Sequence, residues 1–326
     1  MVSVVIPFKN AAICLPECIA SLRSQTYQEW EAILMDDHSE DAGVEVIQAY
    51  QDKRIRVHSV QGQGIVAALN EGLEHCRFPL IARMDADDVM PSARLQKQVD
   101  WMLAHPETGL VSGRVQLFSN CMDSRGYQRY VDWINSQNRY EDILLHRFVE
   151  SPFAHPSVLF RRELITHYGA YREGDFPEDY ELWLRWLQAG VRMEKIEEVV
   201  LNWRDHETRL SRAHDRYRPQ AFQQIRAQYI RVLVATRNIK KIWFWGDGSV
   251  ARGQRKYLEA EGIQGEGIVE VDRAKCKGIV HYYGDLGGPE GRFMISLVGN
   301  VGAREKIQRF LEDRGWKPGD DFILAG

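Results

Sequence analysis

Apolar residues fall along the first third of the chain in two alternating patterns. Val2–Ile6 is a run of β-branched residues broken only by Ser3, and Leu15, Cys18, Ile19 and Leu22 then recur at helical spacing within Leu15–Gln25. Trp30–Met35 is apolar again and ends at Asp36-Asp37. Val44–Tyr50 has helical spacing, Ile55–Val60 alternates like a strand, Ile65–His75 reads as a helix and Leu80–Met84 as a strand. Strands and helices alternating over short connections predict an α/β layer on a mostly parallel sheet. Ligands of such sheets gather at the carboxyl ends of the strands. Three polar clusters fall there: Pro7–Asn10, Asp36–Asp41 and Asp85–Asp88.

From about Ser92 to Arg216 the pattern is mixed and rich in aromatics, among them Trp101, Trp133, Trp183, Trp186 and Trp203. A helical segment, Ala221–Thr236, leads into the basic stretch Arg237-Asn238-Ile239-Lys240-Lys241. The strand–helix pattern then restarts. Ile242–Trp245, Gly267–Val271, Phe293–Val298 and Phe322–Leu324 read as strands, with helices at Val250–Glu261 and Arg304–Arg314. Two domains are expected, residues 1–236 and a smaller α/β unit over residues 237–326.

Composition narrows the function classes. The chain has 326 residues, 44% of them apolar, and a formal net charge of -4. That balance argues against a nucleic-acid binder, which would show a basic excess. Cys14, Cys18, Cys76, Cys121 and Cys276 are scattered, with no CxxC pair, so neither a disulfide framework nor a zinc site is expected. This usage fits a reducing cytoplasm. No apolar run approaches the roughly 18–20 residues that span a bilayer, so membrane contact is expected to be peripheral at most. The N-terminal run lacks a basic n-region and is cut off by Pro7 and Lys9, so it reads as a first strand and not a signal peptide.

The sequence Ala82-Arg83-Met84-Asp85-Ala86-Asp87-Asp88 places three carboxylates within four residues at a strand end. One reading makes them a polar loop in which Asp87 or Asp88 caps the helix that begins near Arg94. The other makes them hard oxygen ligands for Mg2+ or Mn2+, which in turn holds a diphosphate. Asp36-Asp37 offers the same choice between capping and binding a base or ribose. Glu178 and Asp179 begin a helix with apolar Leu182, Trp183, Trp186 and Leu187. They either complement the helix dipole or serve as acid–base groups.

The ordered strings VSVVIPFKN, ILMDDHSED, GQGIVAALNEGL and LIARMDADDVMPSARLQKQVDWM resemble a family 2 glycosyltransferase with the GT-A fold, of the bacterial kind that builds envelope glycans such as lipopolysaccharide. The resemblance covers roughly the first two thirds of the chain. It implies an inverting transfer from a nucleotide-diphosphate sugar, most often UDP-linked, to a glycan or glycolipid hydroxyl, with dTDP and GDP as open alternatives. By that resemblance Pro7, Phe8 and Asn10, through the strand end, and Asp37 hold the nucleobase. Asp85 lies near the ribose and sugar, and Asp87 binds the Mn2+ or Mg2+ ion. Asn70 and Arg83 shape the donor pocket or support it structurally. PEDYELWLR matches the acidic pair before the acceptor helix, which makes Asp179 the general base and Glu178 its acceptor-side support. His155 is expected beside the sugars, or else packed. The pattern Arg-x-His-x-x-x-x-Ser over Arg204, His206 and Ser211 implies a basic lid, with His206 at the metal and Arg204 or Arg209 at the diphosphate. The alternative for that segment is a solvated charged loop.

The second domain carries a turn at Gly246-Asp247-Gly248, with Ala251 at the usual third glycine position, and Glu270 and Asp272 at the end of the next strand. This suggests a Rossmann-like accessory domain without redox activity, serving oligomerisation, partner docking or ligand sensing. Two other whole-protein readings fare worse. A nucleotide-sugar oxidoreductase or epimerase would need an N-terminal Gly-x-Gly-x-x-Gly and a Tyr-x-x-x-Lys pair, and neither stands in the expected place. A non-catalytic binding module would be expected to lack the acidic motif or the base, yet Asp85, Asp87 and Asp179 are all present.

Overall fold

The computed structural model describes residues 1–119, 125–206, 209, 212, 214–300 and 302–326. Contacts group the chain into two compact units: Met1–Tyr140 with Pro152–His214, and Glu141–Ser151 with Asp215–Gly326.

The first unit opens with β1 (Val2–Phe8), α1 (Leu15–Arg23), β2 (Trp30–Asp36), α2 (Gly43–Gln48), β3 (Ile55–Ser59), α3 (Gly64–His75) and β4 (Leu80–Arg83). It continues through α4 (Arg94–Ala104), β5 (Thr108–Ser119) and α5 (Arg125–Ser136). After α6 (Tyr140–His146), most of which groups with the second unit, come β6 (Leu159–Arg161), α7 (Glu163–Tyr168), α8 (Glu178–Gln188) and β7 (Arg192–Asp205). The seven strands run in the order β3-β2-β1-β4-β6-β5-β7. Only β6 is antiparallel to its neighbours.

The apolar pattern explains this layering. Every residue of β1 and β2 is buried, as expected of strands covered on both faces. Leu15, Cys18, Ile19 and Leu22 form the buried stripe of α1. Helix α3 lies close on the sheet at Gly72, where a Cβ would stand 2.7 Å from Val5 Cγ1 and 3.0 Å from Met35 Cγ. The elements expected before residue 104 appear within a few residues of their expected bounds. The middle of the chain is different. β5 and β7 are long parallel partners whose register shifts at Gly113/Arg114 and Arg114/Val115. These irregularities, together with exposed Glu197 and Glu198, break the period that would have marked β7 as a strand.

In the second unit, α9 (Pro219–Thr236) packs against α10 (Ser249–Ala260). The strands β8 (Lys241–Trp245), β9 (Gly267–Glu270), β10 (Val280–Tyr282), β11 (Arg292–Ser296) and β12 (Phe322–Leu324) are all parallel, with α11 (Ala303–Glu312) between the last two. Their order, β10-β9-β8-β11-β12, runs outward in both directions from β8, a doubly wound arrangement. Buried Arg226 ties the unit's segments together by donating to the carbonyls of Val149 (2.8 Å) and Ala325 (3.1 Å). Helix α9, read from the sequence as the end of the first domain, thus groups by contacts with the second unit. Among the described residues, no helix is long and apolar enough to cross a membrane. Cys14, Cys18, Cys76 and Cys276 are free thiols, and Cys121 lies outside the described residues.

Candidate active site

The carboxyl ends of β1, β2 and β4 bring the polar clusters together. Asn10 follows β1 with a left-handed backbone (φ 52°) that short polar residues tolerate. Its N–H donates to Ser39 Oγ (2.9 Å) and its Oδ1 accepts the N–H of Glu40 (2.8 Å). The Asp37 N–H donates to the Phe8 carbonyl (2.9 Å), and Asp37 Oδ1 accepts the N–H of Gly64 at the start of α3 (3.0 Å). Lys9 Nζ stands 4.0 Å from Asp37 Oδ2. Phe8, Asn10 and Asp37 are therefore joined at one edge, with Pro7 one residue back on β1 beside Met35 of β2. The Phe8 ring is packed in the core, which leaves its backbone as the part facing that edge.

Asp85, Asp87 and Asp88 follow β4, each with a ligand oxygen within 4.8 Å of the others. Each has a different partner. Asp85 forms an ion pair with buried Arg83. Asp87 Oδ2 lies 2.7 Å from His206 Nε2. Asp88 Oδ1 accepts the backbone N–H of Arg204 (2.8 Å), while its buried Oδ2 has no hydrogen-bond partner among the described residues. Burial above all, then Asp85 and Asp87, pushes the Asp88 carboxyl well above the ordinary range. The expectation that Asp88 caps the next helix is not met, because α4 begins at N-cap Ala93 with no side-chain cap. The carboxylate is committed to β7 instead.

Arginines surround this cluster. The Arg204 Nε donates to the Asp87 carbonyl (2.6 Å), its Nη2 pairs with Glu17 on α1, and its guanidinium lies 4.4 Å from the Phe118 ring. Arg209 stacks 4.4 Å from Trp203 and acts electrostatically on Asp85 and Asp88. Its buried Nη1 has no hydrogen-bond partner among the described residues. Ser211, the last member of the lid pattern, lies outside those residues. Arg94, on the first turn of α4, belongs to the same group of arginines. It is fully buried and donates to the Arg83 carbonyl (2.9 Å) and to Gln98 Oε1 (3.0 Å). The signal lay in its spacing: Arg94, Gln98 and Met102 form one i, i+4 row on the buried face of α4.

Across Arg83 lies the second acidic pair. Glu178 and Asp179 open α8, with Pro177 at the N-cap. Asp179 Oδ1 accepts the Tyr180 N–H (2.7 Å), yet burial and then Glu178 push its carboxyl up to about 7. Burial here outweighs the stabilisation that a helix N-terminus gives an anion. Arg83 acts electrostatically on both Asp85 and Asp179. Asn70 does not present a free amide: its Nδ2 donates to the Tyr171 carbonyl (2.9 Å) and its Oδ1 accepts the Tyr171 N–H (3.1 Å). His155 is buried, with Nε2 2.8 Å from the Tyr171 hydroxyl. Burial and then Arg83 hold it neutral, well below the usual imidazole range.

The sequence profile described as glycosyl transferase family 2 matches residues 3–169, just over half of the chain. The chain belongs to glycosyltransferase family 2. This transferase is 30% identical over 195 residues to the amylovoran biosynthesis glycosyltransferase AmsE of Erwinia amylovora, covering 58% of this chain and 70% of that protein. It is 28% identical over 225 residues to an Escherichia coli UDP-Gal:alpha-D-GlcNAc-diphosphoundecaprenol beta-1,3-galactosyltransferase, covering 68% and 78%. In structure it resembles S. aureus TarS residues 1–349 in complex with UDP-GlcNAc, with a TM-score of 0.55, 17% identity and 72% of each chain covered. It also resembles the mannosyltransferase PcManGT of Pyrobaculum calidifontis in complex with GDP-Man and Mn2+, with a TM-score of 0.51, 18% identity, and 80% of this chain and 72% of that one covered. The fold of the transferase is thus GT-A, with a second, smaller parallel sheet.

Proposed function

We propose that the first unit transfers a sugar from a nucleotide-diphosphate sugar, UDP-linked by preference, to a hydroxyl of a glycan or glycolipid acceptor, with inversion at the anomeric carbon. The observation that carries this reading is a pair of acidic groups tuned to different tasks and joined through Arg83. Asp179 is poised at about 7, where a carboxylate can take a proton from a sugar hydroxyl at neutral pH. Glu178 beside it raises its basicity and faces the acceptor. Asp85, Asp87 and Asp88 form an oxygen-rich cluster suited to a hard divalent cation, and the buried Asp88 Oδ2, without a hydrogen-bond partner among the described residues, is an oxygen that such a cation would satisfy. Mn2+ or Mg2+ held by Asp87 and His206 would supply charge neutralisation to the departing diphosphate. Asp85 faces the ribose and sugar, Arg204 and Arg209 supply positive charge to the phosphates, and Asp37 with the backbone of Pro7, Phe8 and Asn10 frames the base.

The relatives support the setting. One is named for amylovoran biosynthesis, another for transfer from UDP-Gal to a diphosphoundecaprenol-linked sugar. We extend this to bacterial envelope-polysaccharide assembly at the cytoplasmic face of the membrane. The second unit is read as an accessory domain without redox activity, through which the chain self-associates. The test is a thermal-shift screen of UDP, dTDP and GDP, each with and without Mn2+, followed by NMR of the product made from the sugar of the best nucleotide. The reading expects one nucleotide to stabilise the protein, more strongly with Mn2+, and a product of inverted anomeric configuration. A retained anomer, or no stabilisation by any nucleotide, overturns it.

A further inference from the structure

The segment from Tyr168, the last residue of α7, to Tyr171 leads toward α8 and is fastened at both ends. From α8, Arg185 donates to the carbonyls of Tyr168, Gly169 (2.9 Å) and Ala170 (2.7 Å), and pairs with Glu181 (2.9 Å). From α3, the Asn70 side chain closes a two-point clamp on the backbone of Tyr171. The Tyr171 ring turns inward, and its hydroxyl meets His155 Nε2 at 2.8 Å. The imidazole then packs edge-on against Trp183, with centroids 5.8 Å apart. Trp183 is on α8, four residues and therefore one turn beyond Asp179. Every side chain in this series is buried or half-buried.

We propose that Tyr171 is a positioning residue for the transfer reaction: through His155 and Trp183 on one side and Asn70 on the other, it fixes the first turn of α8, and with it Asp179, relative to the donor-side strands. The inference rests on Asp179 being the base. The role has a physical motive. A base displaced by about 1 Å from its productive position can cost on the order of a hundredfold in rate. A buried side-chain relay limits such drift better than exposed loop contacts do. Asn70 and His155 thereby act through Tyr171 rather than by touching sugar.

The experiment compares Tyr171→Phe, Asn70→Ala and the double variant with the wild-type protein, in kcat, donor KM and the pH profile of kcat/KM. Tyr171→Phe removes only the hydroxyl and keeps the ring volume. The expected result is a fall in kcat of about tenfold with donor KM unchanged. The groups facing Asp179 are Glu178 on its own helix, Arg83 on β4 and Tyr171 itself; His155 faces Tyr171. None of their charges is altered by the hydroxyl's removal, so a loosened, wetter Asp179 should titrate lower and the acidic limb should move to lower pH. The double variant should be no worse than the more impaired single variant, because both act through one relay. Wild-type kcat and pH profile in folded Tyr171→Phe overturn the proposal, as does a loss of thermal stability alone. If Tyr171→Phe fails to fold, Asn70→Ala carries the same readout. Asp179→Asn, run in parallel, separates the two claims: if it turns over normally, the base assignment fails; if it is inactive while Tyr171→Phe is normal, only the positioning role fails.

Discussion

Asp88 Oδ1 accepts the backbone N–H of Arg204 at 2.8 Å, joining positions 116 residues apart. This bond holds the end of β7, with Arg204 on the strand and His206 just beyond it, against the acidic loop. Replacing Asp88 by Ala leaves a buried N–H unsatisfied, which costs about 1–3 kcal/mol. Asp88→Asn keeps an acceptor of the same shape and removes the titratable carboxyl from the crowded cluster. Urea denaturation should therefore show Ala strongly destabilised and Asn close to wild type. Equal losses in the two variants would show that the charge, and not the hydrogen bond, holds the loop.

The acidic cluster also shows how far the sequence was legible. Its place at a strand end followed from the apolar run of β4 and from the α/β alternation, whereas the residues alone left Asp85, Asp87 and Asp179 open between capping and chemistry, and the family resemblance singled them out. The resemblance also implied a role for each, but the partners that distinguish them were not legible. Arg83 and Arg94 flank the cluster in sequence, but Arg204 and Arg209 reach it from the distant end of β7 and the residues after it, and only tertiary packing brings them there. The same is true of Asn70 and Tyr171, which are 101 residues apart. β6, at three residues, is too short to carry a period in the sequence, and the bulges and exposed glutamates of β7 interrupt one.

Asp179 should set the acidic limb of the pH profile. A base must be deprotonated to act, and burial holds this carboxyl at about 7, so kcat/KM should rise with pH through that value and level off above it. Asp179→Asn should lower kcat by roughly a hundredfold to ten-thousandfold while nucleotide binding stays near wild type. Stability runs the opposite way. Between the ordinary carboxyl range and about 7, the native protein holds a proton that the unfolded chain has released, so this group's contribution falls as pH rises through that window. The Asn variant should lack that slope.

Lys195 offers a second pH test, away from the chemistry. It is buried on β7, its Nζ donates to the Ile134 carbonyl (2.5 Å) and lies 5.2 Å from the Phe153 ring, and burial lowers it to about 7. Between about 7 and the ordinary lysine range, the unfolded chain holds a proton that the native state has lost. Stability from this site should therefore rise with pH across that interval. Lys195→Met should flatten this rise, so that it compares best with wild type near pH 6 and worst near pH 9. Parallel stability curves for the two proteins, measured by urea unfolding, would remove the buried-charge interpretation.

Gly246 decides how the turn after β8 should be understood. Its backbone lies at φ +109°, a conformation that side chains rarely adopt, and a Cβ there would meet Val298 Cγ2 at 2.9 Å and Ala251 Cβ at 3.2 Å. Both facts demand glycine for the strand-to-helix turn itself, with no cofactor needed to explain it. Glu270, at the end of β9, is likewise engaged by the backbone: it accepts the N–H groups of Val271 (2.8 Å), Asp272 (3.2 Å) and Asp247 (3.3 Å). Glu270 thus has a structural task in holding this turn, whether or not a ligand is present. Gly246→Ala should therefore destabilise the protein by about 1–3 kcal/mol in thermal unfolding, through strain and overpacking. The wild-type protein should show no fluorescence change on titration with NADH or NADPH. Tight nicotinamide-cofactor binding that Gly246→Ala abolishes would overturn the structural reading of the turn and restore a redox role to the second unit.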